Sequence, residues 1–100
     1  VPFRLNGESV YAASKAAVVT MTEIMAREFA PHGITVNAVG PSAVDTDLIK
    51  NIPAPVMERL IARFAIQKKG TIADVANAVD FFVSRDSSLI TGQTLYLGGL

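Results

Sequence analysis

The longest regular pattern along the chain runs from Val10 to Ala30. This stretch is rich in Ala, Met and Glu and has no interior Gly or Pro, a composition that favours helix. Val18, Met21, Met25 and Phe29 recur three or four apart and predict an apolar stripe along it. Ala12, Ala13, Ala16 and Ala17 keep its first turns slim, so another backbone can approach closely. Asn6-Gly7-Glu8-Ser9 is turn-forming and offers Ser9 as the N-cap, while Pro31 and Gly33 stop the helix at its far end.

The pattern then shortens. Ile34 to Val39 is β-branched and apolar on both faces, as in a buried parallel strand, although periodicity alone also admits a buried helix. Gly40-Pro41-Ser42 ends it, and Ala43 to Asn51 reads as an irregular loop with polar residues at Asp45, Thr46 and Asp47. Pro55 suits the first turn of a second helix extending to about Lys68, with Val56, Leu60, Ile61 and Phe64 on its apolar face and Gly70 closing it. Thr71-Ile72-Ala73-Asp74 has the form of a capping box with Asp in the acidic position. It opens a third helix reaching about Ser84, whose inner face would be Val75, Val79, Phe82 and Val83. Arg85 to Ser88 reads as loop, and Thr94 to Leu97 as a last short strand before Gly98-Gly99. A strand–helix–strand crossover of this length predicts two adjacent parallel strands joined in the right-handed sense. Two strands make too small a sheet to stand alone, so the rest of the sheet is expected from elsewhere.

Composition sharpens this expectation. Of the 100 residues, 50% are hydrophobic and 18% charged, more core material than so small a domain can bury. The excess is expected to face missing chain or a second subunit. Nine basic and nine acidic residues cancel, and the only basic doublet is Lys68-Lys69, which argues against a nucleic-acid partner. With no cysteine there are no disulfides or thiolate metal sites, a pattern compatible with a cytoplasmic protein. No apolar run approaches the roughly 20 residues of a membrane span. No metal site is expected. Val1-Pro2-Phe3-Arg4 has neither an initiator Met nor a signal-peptide layout and reads as a cut.

Candidate chemistry centres on Tyr11-Ala12-Ala13-Ser14-Lys15. The spacing puts a phenol and an ammonium on one helix face, one turn apart. A phenol titrates near ~10, and bringing it to about 7 needs about 4 kcal/mol of preference for phenolate. One cation at ~4 Å supplies roughly that much at an effective dielectric near ~20. The bare motif also describes a surface Tyr beside a solvated Lys. His32, the single histidine, follows Pro31 at a helix end, where a cation suits the helix dipole. Asp45 and Asp47 read as solvated loop acids.

Four signatures in order change that balance: Tyr11-Ala12-Ala13-Ser14-Lys15, Ile34 to Pro41, Val44-Asp45-Thr46, and Thr91 to Tyr96. Together they resemble the C-terminal half of the short-chain dehydrogenase/reductase family, over about Ser9 to Gly99. The resemblance implies an α/β fold in which residues 1–100 are the C-terminal portion of a single doubly wound parallel-sheet (Rossmann-like) domain, without its N-terminal dinucleotide-binding half. It implies an oxidoreductase using NAD or NADP on a small alcohol or carbonyl substrate, with reductases of 3-oxoacyl thioesters the nearest general type. Tyr11 would be the general acid/base. Lys15 would lower the phenol's pKa and bond the nicotinamide ribose. Pro41 would shape the cofactor loop, Val44 would meet the carboxamide through its backbone, and Thr46 would bond carboxamide or pyrophosphate. A surface loop with a capping Thr is the bland alternative. Ser14 reads as packing or capping rather than nucleophile.

Departures from the family pattern are Ser42, where Gly is usual, and Gly98, where Asp is common. Ser42 fits only if its backbone avoids the region reserved for glycine. Substrate choice would fall to the Ala43–Lys69 region. The family's long helix builds subunit contacts, so a homodimer or homotetramer through the 10–30 helix is implied, with no membrane or nucleic-acid partner. The glycine-rich turn, an Asn and a Ser of the family's site would lie upstream, and the isolated piece is expected to be inactive. A truncated relative serving as an oligomerisation module is the competing reading.

Overall fold

The computed structural model describes residues 9–42 and 52–99, apart from the side chain of Tyr11. Its order is helix α1 (Ser9–Phe29), a 3-10 turn (Ala30–His32), strand β1 (Ala38–Gly40), helix α2 (Ala54–Ile61), helix α3 (Ile72–Val83), a second 3-10 turn (Arg85–Ser87) and strand β2 (Thr94–Tyr96). The expected sequence of helix, strand, two helices and strand is therefore present. β1 and β2 are hydrogen-bonded neighbours. Gly92 N–H donates to Val36 O, Ala38 N–H to Gln93 O and Leu97 N–H to Gly40 O, so residue numbers rise together on both strands. That is the parallel pattern.

The chain divides into two compact units, Val1–Ala38 with Ser84–Thr94 and Val39–Val83 with Leu95–Leu100. In the first, α1 ends where Pro31 enters: the lost N–H and fixed φ suit the start of a tighter turn. Gly33, at φ +73°, then caps it by donating to Ala30 O at 3.0 Å. The apolar stripe expected of α1 is not its buried face. Val18 and Met21 are 49% and 52% exposed and Phe29 is exposed as well, while Met25 is half-buried. Thr22 and Ala26 are buried instead, with Ala12 and Val19 half-buried on the same side. The reason is close approach. A Cβ placed on Gly92 would stand 3.4 Å from the Ala26 Cβ, in van der Waals contact, so this face of the helix lies against the Gly92 backbone. Thr22 settles its buried hydroxyl by donating to Val18 O at 2.7 Å.

β1 is shorter than Ile34–Val39 and shifted to its end. Side chains take the place of ladder bonds at its entry: Val36 N–H donates to Thr91 Oγ1 at 3.0 Å, and Gln93 N–H to Asn37 Oδ1 at 3.1 Å. Asn37 Nδ2 donates in turn to Ile90 O at 3.1 Å. Residues 85–88, expected as loop, contain a 3-10 turn whose N-cap, Ser84, accepts from Asp86 N–H at 3.2 Å.

In the second unit α2 stops at Ile61 rather than near Lys68. Its apolar face differs from expectation as well: Met57 is buried, Leu60 and Ile61 are half-buried, and Val56 is exposed. Phe64 is buried but lies beyond the helix. Helix α3 opens on a realised capping box. Thr71 N–H donates to Asp74 Oδ2 at 2.8 Å and Asp74 N–H donates to Thr71 Oγ1 at 3.1 Å. Its inner face is Val75, Ala78 and Phe82, three and four apart, whereas Val79 and Val83 point outward at 44% and 73% exposure. Phe81 and Phe82 make a tilted ring pair with centroids 5.5 Å apart.

Candidate active site

Helix α1 runs without interruption through Tyr11 and Lys15. Four residues of α-helix rise about 6 Å and bring the chain back to the same face, so the backbone holds these two positions one turn apart. Lys15 is exposed. Ser14, between them, is committed elsewhere: its Oγ donates to Val10 O, one turn back in the same helix, at 2.9 Å. Such a back-bond ties the hydroxyl to its own helix, which is neither the packing nor the capping role expected of it. It equally leaves no reason to treat Ser14 as a nucleophile.

Pro41 is exposed and Ser42 half-buried immediately after β1, at the strand's carboxyl end. Ligands of parallel sheets lie outside such ends. Among the described residues no non-glycine has positive φ. Ser42 therefore satisfies the condition its replacement of glycine imposes. Val44 and Thr46 lie outside the described residues, as does the Tyr11 side chain. Among the described residues, no group of three or more His, Cys, Asp or Glu side chains is arranged to hold a metal ion. Nor is any helix long and apolar enough to cross a membrane.

Two features escape a reading of the sequence. Asn37 and Thr91 belong to separate signatures, yet their side chains join the two strand entries directly. A lone amide in an otherwise β-branched run was the available signal. The other feature is at Gly98 and Gly99. At φ +87° and +75° both adopt backbone that side chains rarely take, and a Cβ on Gly98 would meet Phe64 Cδ1 at 2.8 Å. A side chain at that position would be strained and would collide with the ring.

A slim helix carrying the Tyr11–Lys15 positions, followed by two adjacent parallel strands with helices between them, is the arrangement of part of a parallel α/β domain. The comparisons carry the assignment further. Residues 3–99 match the family profile described as enoyl-(acyl carrier protein) reductase. A 3-oxoacyl-acyl-carrier-protein reductase of Rickettsia bellii is 41% identical over 93% of this chain and 39% of its own length. A (3R)-3-hydroxyacyl-CoA dehydrogenase of Canis lupus familiaris is 39% identical over 93% of this chain and 36% of its own. A short-chain dehydrogenase/reductase from Serratia marcescens superposes with a TM-score of 0.85 at 37% identity, covering 99% of this chain and 40% of that one. The chain belongs to the short-chain dehydrogenase/reductase family. It spans about two fifths of the length of the relatives it matches.

Proposed function

We propose that this chain is the C-terminal part of an NAD- or NADP-dependent oxidoreductase that interconverts a secondary alcohol and a ketone, with 3-oxoacyl thioesters as the substrate class. Two of its relatives bear names for the two directions of one such interconversion, a 3-oxoacyl reductase and a 3-hydroxyacyl dehydrogenase. The observation that carries the reading is local. An unbroken helix keeps Tyr11 and Lys15 in register while the one intervening hydroxyl is tied to its own backbone.

In this account Tyr11 gives its phenolic proton to the carbonyl oxygen during reduction and takes it back from the alcohol during oxidation. Lys15, one turn away, favours the phenolate by its charge and bonds the ribose hydroxyls of the cofactor. Pro41 sets the turn at the carboxyl end of β1, the Val44 backbone holds the carboxamide, and Thr46 bonds carboxamide or pyrophosphate. The exposed Lys15 and Pro41, and the ordinary backbone of Ser42, are compatible with a dinucleotide there. When bound, the nicotinamide supplies the hydride chemistry, while acid–base assistance from the protein is worth about 10²–10⁴-fold.

Tyr11→Phe in the whole protein tests this reading. Turnover of a 3-oxoacyl thioester should fall by about 10²–10⁴-fold, with melting temperature and subunit assembly retained. Unchanged turnover would remove Tyr11 from the chemistry and favour a role in assembly alone.

A further inference from the structure

Gly40 closes β1 and Tyr96 closes β2, on adjacent strands of the sheet. Leu97 N–H donates to Gly40 O at 2.8 Å, which sets Tyr96 opposite Gly40 at this last rung. Gly40 is not among the glycines of positive φ, so its backbone conformation is open to other residues. What forbids a side chain there is the Tyr96 ring. A Cβ on Gly40 would stand 2.5 Å from Tyr96 Cδ1 and 2.9 Å from Cε1, so the ring lies directly on the glycine. A strand glycine lacks a side chain to pack, and an aromatic ring laid across it supplies both cover and restraint. Tyr96 itself is 38% exposed, whereas the buried hydrophobics among the described residues are Ala26, Met57, Phe64 and Ala78. The ring therefore holds a strand end rather than filling a core.

The next residue makes that restraint matter. Pro41 has no N–H to bond into the sheet, and its own φ is fixed by its ring. The direction in which the chain leaves β1 is thus inherited from Gly40. Without a Cβ, Gly40 also escapes part of the clash that ordinarily confines a residue before proline. Left to itself the joint would be loose. The hydrogen bond at its carbonyl and the ring against its Cα hold it from two sides. The joint stands at the carboxyl end of a parallel strand, the side on which such sheets place ligands. We infer that Tyr96, through its ring on Gly40, is a positioning residue for the nicotinamide cofactor: it fixes the turn at Pro41 that the cofactor binds against. This rests on the functional reading above. Tyr96 touches neither cofactor nor reacting atom in this account. It acts through Gly40.

The test uses the whole protein and reads cofactor binding directly, by the fluorescence of NADH or NADPH on titration, beside kinetics with a 3-oxoacyl thioester. Tyr96→Leu removes the flat ring but keeps an apolar side chain. The Kd for the reduced cofactor should rise about tenfold, as when a turn set in advance must instead be ordered on binding. The KM for the thioester should stay within about twofold of wild type. Tyr96→Phe keeps the ring and should hold the cofactor Kd within about twofold of wild type. Gly40→Ala displaces the ring from the other side and should raise the Kd as Tyr96→Leu does, so the idea stands or falls even where one of the two fails to fold. An unchanged Kd in either folded variant overturns the positioning role. So does an equal loss in Tyr96→Phe, which would assign the effect to the hydroxyl. A parallel rise in the thioester KM overturns it too, because it marks a general loosening of the fold. A wild type that binds neither NADH nor NADPH overturns the functional reading itself, and the positioning role with it.

Discussion

Gly40 shows how one position can be fixed by its neighbour. It ends β1, and a Cβ built on it would lie 2.5 Å from Tyr96 Cδ1 and 2.9 Å from Cε1. Those are ring atoms of a residue in the adjacent strand, so an added methyl must displace the ring, the strand or both. Overpacking of this kind costs about 1–3 kcal/mol. Gly40→Ala should accordingly lower the urea midpoint of the whole protein with little change in slope, and a midpoint equal to wild type would show that the ring moves freely. Gly40 was legible in the sequence only as a strand terminator. That the constraint is spatial, with Tyr96 as its source, depends on a contact between residues far apart in the chain. Tyr11 and Lys15 are the opposite case, because helical spacing alone aligns their positions. Ser42 falls between them: the sequence stated the condition on its backbone, and the fold met it.

At the scale of elements, local signals fared best. The capping box at Thr71 and Asp74 formed as expected because both partners lie within one turn. Its acid end is electrostatically visible. The Thr71 backbone N–H, then the Thr71 hydroxyl and the charge of Lys68, hold the Asp74 carboxyl below its ordinary value of 3.8, with desolvation opposing them. A carboxylate depressed in the folded state stabilises it fully above the unfolded value, and that contribution is lost as pH falls through the lower folded value. Asp74→Asn should thus reduce stability by a constant amount above about pH 5, and the gap to wild type should narrow as pH drops below 3.8. A gap that widens on acidification would assign the cap the wrong sign. Elements ended by distant partners were misjudged. The sequence predicts α2 as far as about Lys68 because no Gly or Pro stands near Ile61 to stop it. Past Ala62 the helical bonds tighten, with Arg63 N–H donating to Leu60 O and Phe64 N–H to Ile61 O, and the next two N–H groups, of Ala65 and Ile66, go to Gly99 O and Gly98 O, far away in the chain. The entry of β1 is the same lesson, with Asn37 and Thr91 side chains standing in for ladder bonds.

Across the whole molecule the main feature is apolar surface without cover. Among the described residues the buried hydrophobics are Ala26, Met57, Phe64 and Ala78, whereas Ile72, Val83 and Leu89 are 69%, 73% and 96% exposed. The exposed stripe of α1 has the same character, with Ala16, Ala17, Met21, Ile24 and Met25 lining a shallow groove along the helix. We propose that this face makes the subunit contact implied for the 10–30 helix. Ile24→Glu would place a charge in it, and the whole protein should shift to a smaller assembly by light scattering while each subunit keeps its fold. An unchanged mass would put the contact elsewhere.

Sequence by itself determined what depends on near neighbours: the order of elements, the helix over Ser9–Phe29 that aligns Tyr11 with Lys15, the cap of α3, and the family signatures. Tertiary structure decided which face of each helix is buried and where elements end. The physical reason is that hydrophobic periodicity marks every face that leaves water, without saying which one meets its own chain. On α1 the larger apolar residues mark one face, while the buried positions are Thr22 and Ala26 on another, with Ala26 beside Gly92.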